Sequence, residues 1–94
     1  METKEILNER ATTYGRYKMV SHISQSIKKT IHESPNYNYM PVYMKESLEM
    51  IANKLARILN GDYYHIDSWR DISGYSTLAV IEIEDEAKPD ELND

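Results

Sequence analysis

From Arg16 to Glu33 the apolar residues fall at Tyr17, Val20, Ile23, Ile27 and Ile31. Steps of three and four place all five on one stripe of an α-helix. Pro35 sets its end, because the residue before a proline avoids helical backbone. A second stripe runs Met44, Leu48, Ile51, Leu55 and Ile58, with Leu59 beside it, and predicts a helix over about 41–60. Pro41 suits the first turn, where no N–H is needed, and Asn60-Gly61 is a stop signal. The opposite face of that helix carries Glu46, Glu49, Asn53, Arg57 and Asn60. A third helix is predicted over about 67–83, with Trp69, Ile72, Ser76, Ala79, Val80 and Ile83 as its core stripe. Residues 4–11 have helical composition but only Ile6 and Leu7 as strong anchors, and Thr12-Thr13-Tyr14-Gly15 then predicts a bend or a fresh start.

The expected fold is all-α: a small three-to-four-helix antiparallel bundle over residues 1–84. The short connection 62–66 makes the last two helices antiparallel neighbours. Three amphipathic helices leave an apolar edge, so completion by homo-oligomerisation is expected. Residues 85–94 are expected to form a disordered acidic tail.

Charge sharpens this division. The formal net charge is −5, yet residues 82–94 alone carry seven acids and one lysine, and residues 1–81 are nearly neutral. A folded part without basic excess argues against general nucleic-acid binding. Cysteine is absent, which removes disulfides, thiolate metal sites and a thiol nucleophile. No apolar run reaches membrane-spanning length and no signal-peptide core is present, so a cytoplasmic protein without membrane partners is expected.

Eight tyrosines and no phenylalanine stand in the 94 residues. Tyrosine joins apolar area to a hydroxyl, which suits interfaces, although a composition rich in Ile, Asn and Lys explains the count equally. Tyr37, Tyr39 and Tyr43, in and beside the proline-bounded loop PNYNYMP, are the candidate partner-binding set.

Four carboxylates carry the candidate chemistry. Glu46 and Glu49 are three apart on the second main helix, and Asp67 and Asp71 are four apart on the third. Such spacings aim paired side chains the same way, and oxygen ligands suit Mg²⁺. Each also has an ordinary structural reading. Ser68 with Asp71 resembles a capping box, Asp67 fits an N-cap, and Glu46 complements a helix dipole. Lys54 and Arg57 are candidate phosphate ligands, with Tyr75 and Tyr14 as further substrate contacts. His22, His32 and His65 show no metal-ligand spacing, and no glycine-rich phosphate loop exists.

The motifs ERATTYGRY (Glu9–Tyr17), KESLEMIANKLARILNGD (Lys45–Asp62) and IDSWRDISGY (Ile66–Tyr75) resemble a family of small phage and prophage proteins of unassigned function. The resemblance covers about residues 6–81 and implies a mobile-element origin in a bacterial cell. More distantly the chain resembles the all-α nucleotide pyrophosphohydrolases of the MazG type. Those bind Mg²⁺ through an ExxE pair and an ExxD pair and cleave nucleoside triphosphates to monophosphate and pyrophosphate. Glu46-Ser47-Leu48-Glu49 matches the first pair. In the second, Ser68 stands where Glu is required and Asp67 sits one residue earlier, while Lys45 replaces an acid that often precedes the first pair. The resemblance implies a Mg²⁺-dependent (d)NTP pyrophosphohydrolase, with Glu46, Glu49 and Asp71 catalytic and all four carboxylates on metal. The alternative is a non-enzymatic phage anti-defence protein, binding a host defence protein or nuclease complex or sequestering a signalling nucleotide.

Overall fold

The computed structural model describes residues 2–87. Four α-helices follow one another: α1 (Thr3–Tyr14), α2 (Tyr17–His32), α3 (Val42–Asn60) and α4 (Ile66–Glu86), with a short 3-10 turn at Tyr37–Tyr39. The described residues contain no strand, and the molecule measures 53 × 28 × 23 Å. The chain is all-α, as the hydrophobic spacing requires. Helix α4 continues through Glu86, two residues into the stretch expected as tail, and residues 88–94 lie outside the described residues.

Helix α3 is the middle of a row. It packs against α2 on one side and α4 on the other, while α2 and α4 barely meet. The contacts are made by small side chains: Ala52 and Ala56 are fully buried, and Ser24, Ser47 and Ser68 are the buried polar residues. Small residues let helix backbones approach closely, and they displace the large apolar side chains from the contact. Among the described residues Ile58 is the only large one in the buried set, and no large side chain is fully enclosed.

The face of α3 expected to be solvated is therefore a polar seam. Ser24 Oγ donates to Asn53 Oδ1 at 2.7 Å, joining α2 to α3. On the α4 side, Lys54 Nζ meets Asp71 Oδ2 at 3.1 Å with the lysine side chain only 12% exposed. Tyr43 donates to Glu86 Oε2 at 2.9 Å and ties the far ends of the same two helices together.

Three expectations are corrected. Trp69 is 54% exposed rather than core, with its Nε1–H donating to Tyr63 O at 2.9 Å, because α4 turns Ser68, Ile72, Tyr75 and Ala79 toward α3. Tyr17 and Leu59 are exposed for the same reason: closely packed helices have no room for them. Neither Asp67 nor Asp71 caps α4, which starts at Ile66 with His65 at the N-cap and no side-chain cap bond. The turn before it is held instead by Asp62 Oδ1, which accepts from the Tyr64 N–H.

Helix α1 buries none of its residues and is attached at its last turn. Thr13 O accepts from the Asp62 N–H at 2.6 Å, and Tyr14 O accepts from Asn60 Nδ2 at 3.3 Å. Two glycines make the approach feasible. Gly15 has φ 85°, the left-handed region, and a Cβ there would meet Asn60 O at 2.7 Å. A Cβ on Gly61 would run into Thr13 O and the Tyr14 backbone. By contrast, nothing lies within 4 Å of a Cβ added at Gly74.

Urea unfolding of three alanine variants checks this junction. Gly15→Ala and Gly61→Ala are each expected to lower stability by about 2 kcal/mol, through overpacking and, at Gly15, backbone strain. Gly74→Ala, in open space inside a helix, is expected to raise it by about 0.5–1 kcal/mol.

Candidate ligand cleft at the α1–α2 junction

The motif ERATTYGRY puts Arg10 and Tyr14 four residues apart, and hence on one face of α1, before Gly15 turns the chain into α2. Arg57 approaches from α3. Its Cζ stands 4.4 Å from the centroid of the Tyr14 ring, a cation–π pair. At the edge of Tyr14, His65 lies perpendicular to it, with ring centroids 5.5 Å apart and Tyr14 OH 3.5 Å from His65 Nε2. Arg10, Tyr14 and Arg57 border a cleft of about 600 Å³ whose apolar wall includes Leu7, Val20 and Tyr17, with His65 behind Tyr14 and outside the lining.

Electrostatically the cleft is cationic. Arg10 and Arg57 both line it, and neither takes part in an ion pair among the described residues. A guanidinium stacked on an aromatic ring keeps its outer edge free to donate to a carboxylate or phosphate. The cleft thus offers a ring, an apolar wall and two fork-shaped cations within one site.

The sequence-derived residues divide between this cleft and other places. Tyr14 and Arg57 come together here. Lys54 does not, being occupied by Asp71 between α3 and α4. Tyr75 lines a separate groove with Asp71, Arg70 and Leu78. Glu49 is held by His32, whose Nε2 is 3.1 Å from Glu49 Oε1, and by Tyr37, which donates to Oε2 at 3.4 Å. Asp67 faces Arg70 at 3.9 Å, and Glu46 is exposed. Among the described residues no group of three or more His, Cys, Asp or Glu stands together in a way that would hold a metal ion. Within the described residues of a single chain, Glu46, Glu49, Asp67 and Asp71 therefore do not gather as a Mg²⁺ donor set.

The tyrosine loop is also divided. Tyr37 packs at 4.9 Å from the His32 ring and lies under Lys45 Nζ at 4.8 Å, while Tyr43 is bound to Glu86. Only Tyr39 of the three is fully presented, at 89% exposure. Partial burial, then the charge and hydrogen bond of Glu49, push the Tyr37 hydroxyl above its ordinary 10.0. For Tyr43 the causes are burial, then Glu86 by hydrogen bond and charge, then Glu82.

Arg10 and His65 escaped the sequence reading. Arg10 was legible in principle as the residue one helical turn before Tyr14 in the same motif. His65 was not, since its partner lies across the α1–α3 junction.

A raised tyrosine value implies a definite pH dependence. The unfolded chain loses these protons first, so the contribution of Tyr37 and Tyr43 to stability is complete below pH 10 and is lost as pH rises through their higher folded values. Chemical unfolding between pH 8 and 12 is expected to show a steeper alkaline loss in the native chain than in a Tyr37→Phe, Tyr43→Phe double variant. Equal slopes would refute the assignment.

No protein-family model matches the chain, and no curated protein or solved structure gives a significant match.

Proposed function

We propose that this chain is a phage-encoded nucleotide-binding protein, acting in the cytoplasm of a bacterial host as a homo-oligomer and sequestering its ligand rather than cleaving it. The observation that carries the reading is the pairing of Arg57 with Tyr14 at the mouth of a cleft that Arg10 also lines. A nucleotide presents a flat base and several phosphate oxygens. Aromatic stacking and bidentate guanidinium donors recognise those two parts, and they are what this cleft supplies. Its volume of about 600 Å³ falls in the ordinary range for small-molecule sites. The described part of the chain contains no helix long and apolar enough to cross a membrane, which agrees with a ligand met in solution.

Sequestration is favoured over hydrolysis by the fate of the carboxylates. Glu49 and Asp71, two of the three proposed catalytic residues, are engaged with His32, Tyr37 and Lys54. A Mg²⁺-dependent pyrophosphohydrolase would need these groups gathered around one ion.

Calorimetric titration with a panel of mononucleotides, dNTPs and cyclic dinucleotides tests the reading. Binding of at least one is expected. Arg10→Ala, which touches no packed element, is expected to weaken it about tenfold, the value of roughly 1.4 kcal/mol of charge-assisted hydrogen bonding. Tyr14→Phe should retain affinity and Tyr14→Ala lose it. Failure of every nucleotide to bind, or full affinity in Arg10→Ala and Arg57→Ala together, would sink the proposal. Pyrophosphate release from a dNTP in Mg²⁺ would replace sequestration with catalysis.

A further inference from the structure

Helix α4 carries a second seam that nothing among the described residues covers. Trp69, Ser73, Ser76, Val80 and Ile83 follow one another at steps of four, three, four and three. That is the spacing of the contact positions in a two-helix coiled coil. Helical geometry turns this seam about a quarter-turn away from Ser68, Ile72, Tyr75 and Ala79, the residues facing α3. Trp69, Val80 and Ile83 are all exposed large apolar side chains, and Ser73 and Ser76 are exposed as well.

The seam has internal symmetry. Trp69 lies seven residues before Ser76 and Ile83 seven after. We propose that the α4 seam is the contact surface for a second copy of this chain, docked antiparallel about a twofold axis near Ser76. In that arrangement Trp69 of one copy lies over Ile83 of the other, and the two serines allow close approach at the axis. Arg70 and Glu84 flank the seam on the same side, so Arg70 of each copy comes beside Glu84 of its partner.

Charge selects both the occupant and its direction. The last turns of α4 hold Glu82, Glu84, Asp85 and Glu86, and Arg70 is the only cation on the helix. A parallel pair sets the four acids against themselves, which is repulsive; the antiparallel pair moves them to opposite ends and sets Glu84 beside Arg70. The 21 residues of α4 rise about 31 Å, and the partly exposed α3 residues Met44, Leu48 and Leu55 extend the apolar surface beyond the single helix. The assembly is isologous and closes on itself, so it stops at two copies through this surface. It also supplies the large-residue core that one chain lacks, as a four-helix layer of α3, α4 and their copies.

This inference deepens the self-association proposed above and does not depend on the ligand. Light scattering of the full chain with Ile83→Glu, Val80→Arg and, as an opposite-face control, Leu78→Glu tests it. The native chain and Leu78→Glu are expected to remain dimeric at micromolar concentration, and the two seam variants to halve in mass while keeping their helical circular dichroism. Because Trp69 is the only tryptophan, its emission is expected to shift to longer wavelength on dissociation. A monomeric native chain would refute self-association altogether. A native oligomer that neither seam variant disrupts would leave self-association standing and overturn this interface. Direction is read by oxidation, since the chain has no cysteine of its own. Ser76→Cys is expected to cross-link to its copy and Ile83→Cys is not; the reverse result would overturn the antiparallel arrangement.

Discussion

Close approach between helices is the constraint on which the rest of this structure depends. Alanine and serine occupy every buried position of α2, α3 and α4 except Ile58, and glycine occupies both sides of the α1–α3 crossing. Where backbones come this close, hydrogen bonds and one shielded ion pair take over the role that large side chains play in thicker interfaces. The three polar ties Ser24–Asn53, Lys54–Asp71 and Tyr43–Glu86 are spread along α3 and fix its register against both neighbours. Once the inside is built from small residues, the large ones must lie elsewhere. That single fact accounts for the exposed Trp69, the exposed Tyr17 and the apolar seam on α4.

The helices were legible because their boundaries are written in local chemistry. Pro35, Pro41 and Asn60-Gly61 act on the residues beside them, and apolar steps of three and four are a property of the helix alone. What the spacing could not reveal was which stripe meets which neighbour. Apolar periodicity assigns Trp69, Val80 and Ile83 to the interior, and within one chain the interior is taken by Ser68, Ile72, Tyr75 and Ala79. The proposed dimer would restore part of the original assignment, with the interior lying between chains.

The candidate site divides in a similar way. Tyr14 and Arg57 are 43 positions apart, yet both sit at helix ends that the glycine crossing brings together, so their shared chemistry survived folding. Glu46, Glu49, Asp67 and Asp71 were grouped by spacing within each helix. Spacing says nothing about distance between helices, and basic or phenolic neighbours met three of them first. Lys54 illustrates the ambiguity best: a lysine set among acids reads equally as a phosphate ligand and as a counter-ion, and the contact with Asp71 decides for the second.

The attachment of α1 has an evolutionary corollary. Two of its hydrogen bonds to the rest of the chain are accepted by the carbonyls of Thr13 and Tyr14, and main-chain acceptors are the same whatever side chains stand beside them. The outer turns, with Leu7 and Arg10, can therefore change freely without cost to the helices behind them. Such an arrangement separates what a lineage must keep, the glycine crossing, from what it can vary, the lining of the cleft. If the cleft binds a small anion as proposed, its preference can be altered at a few positions on a single helix while the crossing is kept.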